Sequence, residues 1–184
     1  MLPKNRIAFS FSRMPSRCLA PAGVRRDGTS ARDFAAEELR RCGFGDVVEN
    51  TRPVAGVDVT FSARDRSGRR WLFDLTGAFT TTRTGLRRSD TLWKALGRAA
   101  VLHAELPDVP VVLLTTAAPA PGSAGDRAWR SVGPDAGAGA AVHDVVELGS
   151  AEGADRLRRY AGAPPARRRR AAAGPGGGRP RRAR

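Results

Sequence analysis

Two aspartates stand inside stretches that otherwise read as β-strand: Asp58 in "GVDVTFSARD" and Asp74 in "WLFDLTGAF". Strands disfavour aspartate, so a carboxylate within each of two neighbouring strands points to chemistry. As diagonal neighbours on one sheet face, their backbones would lie roughly 7–8 Å apart or less. A hard cation taking oxygen ligands at about 2.0–2.1 Å can bridge such a pair, which makes a Mg2+ site the functional reading. The alternative is a polar sheet face turned to solvent. The flanking Trp71, Leu72 and Phe73 speak against a fully solvated strand.

The turn between the strands decides whether the two carboxylates meet. In "DRSG", Gly68 stands where a three-residue hairpin loop places a left-handed residue after a type I turn, and Asp65 suits the first position of that turn. This loop sets Asp65 opposite Arg69, Asp58 opposite Thr76 and Asp74 opposite Thr60. Those last four side chains then share one face, with Val57, Val59, Phe61, Phe73 and Leu75 on the other. A two-residue loop would place Asp58 and Asp74 on opposite faces, because a one-residue slip inverts a strand. The position of Gly68 favours the longer loop.

The surrounding elements follow from local pattern. Ser30 and Asp33 resemble a capping box, and Phe34, Ala35, Leu39 and Cys42 then share a helical face that Gly43 or Gly45 can close. Glu38 falls in the middle of that apolar face and Glu37 at its edge. Three short extended segments follow, beginning at Asp46, Gly56 and Arg69. Ser89 is a plausible N-cap for a helix over "DTLWKALGRAAVLHAEL", with Leu92, Leu96, Ala99 and Ala100 as core stripe and Asp90, Lys94 and Arg98 on another face. "VPVVLLTTA" is apolar throughout, as in a strand buried on both faces. Beyond it lie a short helical piece near "GDRAWRSV", a strand in "AVHDVVEL" and a last helix in "GADRLRRYA". The order is α-β-β-β-α-β with a further strand and helix, an α/β domain. Trp93 and Trp129 read as core anchors, and His103 and His143 as structural.

The 184 residues carry a formal net charge of +14. Residues 1–27 hold six basic side chains and one acid, and residues 163–184 hold eight arginines and no acid, so these ends account for all but one of the excess charges. The chain divides into a loose basic arm (1–27), a nearly neutral folded domain (28–162) and an Arg-rich tail (163–184) too poor in apolar side chains to bury a core. Basic ends of this kind favour a polyanion through counterion release; a solvated tail is the other reading. Only two of the 32 basic residues are lysine, Lys4 and Lys94. Cys18 and Cys42 have no metal or redox spacing, which suits a reducing compartment. No run approaches about 18 apolar residues, so the expected location is cytoplasmic.

The α-β-β-β-α-β order, an acid on the second strand and an acid-x-residue triplet on the third resemble the PD-(D/E)XK, or restriction-endonuclease-like, nucleases over about Thr29 to Thr116. The resemblance implies a single-domain α/β fold with a restriction-endonuclease-like core, a mixed sheet flanked by helices. Asp58 would be the first acid and Asp74 the second, with Thr76 where the family usually has lysine and Glu37 or Glu38 as the first-helix acid. It implies Mg2+, with Mn2+ as a substitute, held by Asp58, Asp74 and the Leu75 carbonyl. Lys94 would be the family's cation, moved to the following helix. "TTTRTGLRR" would face DNA, with Arg83, Arg87 and Arg88 on phosphates and the Thr81 and Thr82 hydroxyls assisting. Many such nucleases act as homodimers and work beside restriction-modification or repair proteins. Two functions are therefore expected: a metal-dependent DNA endonuclease of restriction or repair type, or a noncatalytic nucleic-acid-binding or accessory protein on a degenerate nuclease fold.

Overall fold

The computed structural model describes residues 30–76 and 85–162. The N-terminal arm, the segment holding Thr81, Thr82 and Arg83, and the Arg-rich tail lie outside the described residues. Helix α1 (Ala31–Cys42) starts on Ser30, whose hydroxyl accepts from the Asp33 amide while the Asp33 carboxylate accepts from the Ser30 amide. Left-handed Gly43 (φ 107°) ends it. Strands β1 (Gly45–Val54), β2 (Val57–Arg64) and β3 (Arg70–Leu75) follow, then a single 3-10 turn (Gly85–Arg87) and helix α2 (Ser89–Glu105). The chain continues through β4 (Val111–Thr115), α3 (Ala124–Ser131), a second 3-10 stretch (Pro134–Gly139), β5 (Asp144–Glu147) and α4 (Ala151–Tyr160).

The strands form one mixed sheet in the order β1-β2-β3-β4-β5, antiparallel as far as β3 and parallel from β3 to β5. Helices cover both faces, as parallel strands require. On one face Leu39 of α1 and Leu157 of α4 pack with Phe61, Trp71, Phe73, Val112, Leu114 and Val146. On the other, Leu92, Leu96 and Leu102 of α2 and Trp129 of α3 pack with Leu72, Val111, Leu113 and Val145. The molecule is a single α/β domain. Among the described residues no helix is long and apolar enough to cross a membrane.

The β2–β3 turn takes the three-residue form. Asp65 N–H bonds the Arg69 carbonyl, Gly68 N–H bonds the Asp65 carbonyl, and Gly68 has φ 86°. Burial would raise the Asp65 carboxyl, but donors from Ser67, the Trp71 indole and the Arg69 amide hold it below the usual range. Arg64↔Arg70 through Phe61↔Phe73 then pair in the expected register.

Three local expectations change. Ser89 is the first residue of α2 rather than its cap, and Arg88 stands before it without a side-chain cap bond. Trp93 is 61 % exposed, because Leu92, Ala95, Leu96, Ala99 and Leu102 already fill the buried stripe of α2. Ala100 is likewise exposed. Trp129 is buried as expected.

Candidate functional site at the C-terminal end of strand β3

The β2–β3 ladder parts beyond Phe61↔Phe73. Thr60 remains across from Asp74, and its hydroxyl accepts from the Leu75 amide (3.0 Å) and donates to the Asp74 carboxylate (3.4 Å). Past this point β2 changes sides. Phe61 and Ala63 pack with α1, whereas Val57 and Val59 pack with α2. The expected common face for Val57, Val59 and Phe61 is therefore corrected, and Asp58 moves with them. It alternates with Val57 and Val59, so it lies on the α1 face, opposite to Asp74.

Each carboxylate is taken by an arginine. The Asp74 side chain is 8 % exposed. Its Oδ2 accepts from Arg98 Nη2 at 2.5 Å, from Arg98 Nε at 3.1 Å and from the Thr76 hydroxyl at 3.2 Å. Asp58 is 70 % exposed and accepts two bonds from Arg52 of β1 (2.7 and 3.3 Å). Those bonds hold the Asp58 carboxyl below the usual carboxylate range.

The remaining expected residues divide between the two faces. Thr76 does join Asp74, as a donor. Lys94 is exposed, one helical turn before Arg98. No hydrogen bond or ion pair among the described residues joins it to Asp74, so the cation that α2 delivers to this carboxylate is Arg98. Arg98 shares the polar face of α2 with Asp90 and Lys94, so the helical pattern nominates both cations, and the scarcity of lysine does not mark which one reaches Asp74. Glu37 is exposed and lies 3.9 Å from Arg41. Glu38 is buried on the α1 face, where Oε2 accepts from the Gly149 amide (3.1 Å) at the start of the turn into α4. Arg87 is exposed and reaches the Ala118 carbonyl, while Arg88 pairs with Asp90.

Among the described residues these donors are not assembled as a metal site: Asp58 and Asp74 are held by different arginines, Glu38 is across the sheet from Asp74, and no group of three or more His, Cys, Asp or Glu is placed to hold a metal. The arrangement sets an arginine on each strand carboxylate. No protein-family model, curated protein or solved structure matches the chain.

Glu38 supplies a stability test. Burial pushes its carboxyl above the usual value, partly offset by the Gly149 amide, Arg41 and Arg158. A raised folded-state pKa means the folded chain holds its proton more tightly, so stability is lost as pH rises from the unfolded-state value through the raised one. Glu38→Gln keeps an acceptor for Gly149 and removes the charge. We expect its urea midpoint to exceed wild type at pH 7 and the gain to vanish near about pH 4. An equal gain at both pH values would remove ionisation as the cause.

Proposed function

We propose that this chain is a noncatalytic DNA-binding protein on a degenerate restriction-endonuclease-like scaffold, working in the cytoplasm. One observation carries the reading: the two strand carboxylates that would hold a metal are each bonded to arginine, Asp74 to Arg98 of α2 and Asp58 to Arg52 of β1. The basic ends then supply nonspecific affinity by counterion release, which the folded domain supplements. The metal-dependent endonuclease remains the second reading. A buried strand-interior carboxylate met by a cation from the following helix, within an αβββαβ order, favours it.

One experiment separates the two. Supercoiled plasmid is incubated with the full chain and Mg2+ or Mn2+, and binding is followed in parallel by gel shift. The expected result is a shift that weakens steeply with salt and no nicking. Nicking by wild type that Asp74→Ala abolishes would establish the endonuclease instead. Absence of any shift at low salt would sink both.

A further inference from the structure

Two shallow clefts of about 410 and 420 Å3 adjoin on the α1 side of the sheet, sharing Arg32 and Thr60 in their linings. The second is lined by Arg32, Asn50, Arg52, Asp58, Val59 and Thr60. Its shape comes from an irregular β1. The β1–β2 register shifts between Thr51 and Val54, and Asn50 adopts a left-handed backbone (φ 52°) that asparagine tolerates better than most residues. Asn50 Oδ1 accepts from Arg32 Nη1 at 2.6 Å, tying the start of α1 to β1 and holding one guanidinium at the cleft. Arg52, 67 % exposed, supplies the second guanidinium, and both its bonds go to Asp58.

We infer that this cleft is a binding site for the phosphodiester backbone of duplex DNA, and that Asp58 is a built-in phosphate mimic occupying Arg52 until DNA displaces it. The inference rests on the DNA-binding reading. It assigns Asp58 a role opposite to metal ligation, as a competitor of the ligand rather than part of a catalytic centre. A carboxylate presents two oxygens to a guanidinium in the same fork geometry as a phosphate. The Arg52–Asp58 pair is exposed, and such pairs contribute little net stability, so exchanging the carboxylate for a phosphate costs little. Arg32 keeps four of its five guanidinium N–H donors clear of Asn50. The site would therefore place two arginines from different elements on successive phosphates, contacts that fix position without reading sequence.

The test is binding of the full chain to a labelled 20-base-pair duplex across a salt series, comparing wild type, Asp58→Asn and Arg32→Ala/Arg52→Ala. All three side chains are exposed, and circular dichroism confirms that each variant is folded. The double variant should bind more weakly, with a log–log salt slope shallower by about 2, roughly 0.9 per lost phosphate contact. Asp58→Asn should bind about two- to fivefold more tightly, matching release of an exposed ion pair. A gain of function cannot arise from misfolding. Unchanged affinity and slope in the double variant, with wild type still binding, would overturn the cleft while leaving the DNA-binding reading intact. Weaker binding by Asp58→Asn would overturn the mimic. Failure of wild type to bind at all would overturn the reading beneath both.

Discussion

Arg98→Ala is expected to lower stability by about 3 kcal/mol, the low end of the range for breaking a buried ion pair from one side. The low end applies because the Arg98 side chain is 38 % exposed and water can follow its removal. Among the described residues, Asp74, at 8 %, is left with the Thr60 and Thr76 hydroxyls as side-chain partners. Two neutral donors do not offset the desolvation of a full charge. The asymmetry can be read from a cycle. In the double variant Asp74→Asn/Arg98→Ala the buried charge is gone, so its loss should be smaller than that of Arg98→Ala alone. Urea unfolding of the four proteins gives the coupling directly. Additive losses would mean that Arg98 acts through its aliphatic packing alone. The result bears on function too, because a strong pairing energy is what any metal would have to overcome to claim Asp74.

Gly85→Ala should cost about 3 kcal/mol or more, from two sources acting together. The residue sits at φ 42°, in the left-handed region that disfavours a side chain. An added Cβ would also lie 2.5 Å from the Ala117 carbonyl oxygen, 2.7 Å from the Ala117 amide nitrogen and 2.7 Å from the Thr115 hydroxyl. Most of these are backbone atoms at the end of β4, which cannot swing aside. The next residue, Leu86, donates its amide to the Ala117 carbonyl (2.9 Å) and is fully buried beneath α2. Relief of the clash therefore pulls the entry to α2 off the sheet. The measured quantities are the urea midpoint and the protection of the Leu86 amide from hydrogen exchange. A midpoint within about 0.5 kcal/mol of wild type, the ordinary range for surface substitutions, would show that the turn has slack.

Much of the architecture was legible because local chemistry and tertiary structure agree. The Ser30–Asp33 cap, the Gly68 turn and the continuous apolar β4 each state their conformation within a few residues. Even the register of β2 on β3 was readable, since turn length sets pairing and Gly68 marks that length. The buried Glu38 was legible as a carboxylate in the wrong place, though not its partner, the amide of Gly149, which lies 111 residues away in the chain.

The candidate site was legible only as far as the register persists. Alternation predicts a common face for Asp58 and Asp74 on the assumption that β2 stays regular from its turn to its start. The assumption fails at Thr60, whose hydroxyl takes the Leu75 amide, and at the neighbouring shift in β1. Nothing in the period-2 pattern marks that change, because Val57, Val59 and Phe61 are apolar and fit either core. Likewise, the sequence could nominate Lys94 and Arg98 as cations on one helix face, but which of them reaches Asp74 depends on how far α2 has advanced along the sheet when its Leu92–Leu102 stripe is packed. The sequence by itself determined the elements, the turn, the uneven distribution of charge and the presence of two strand-interior acids. Only the tertiary structure decided that those acids face apart and meet arginines, because side-chain direction across a twisted and broken ladder is set by packing on both faces of the sheet.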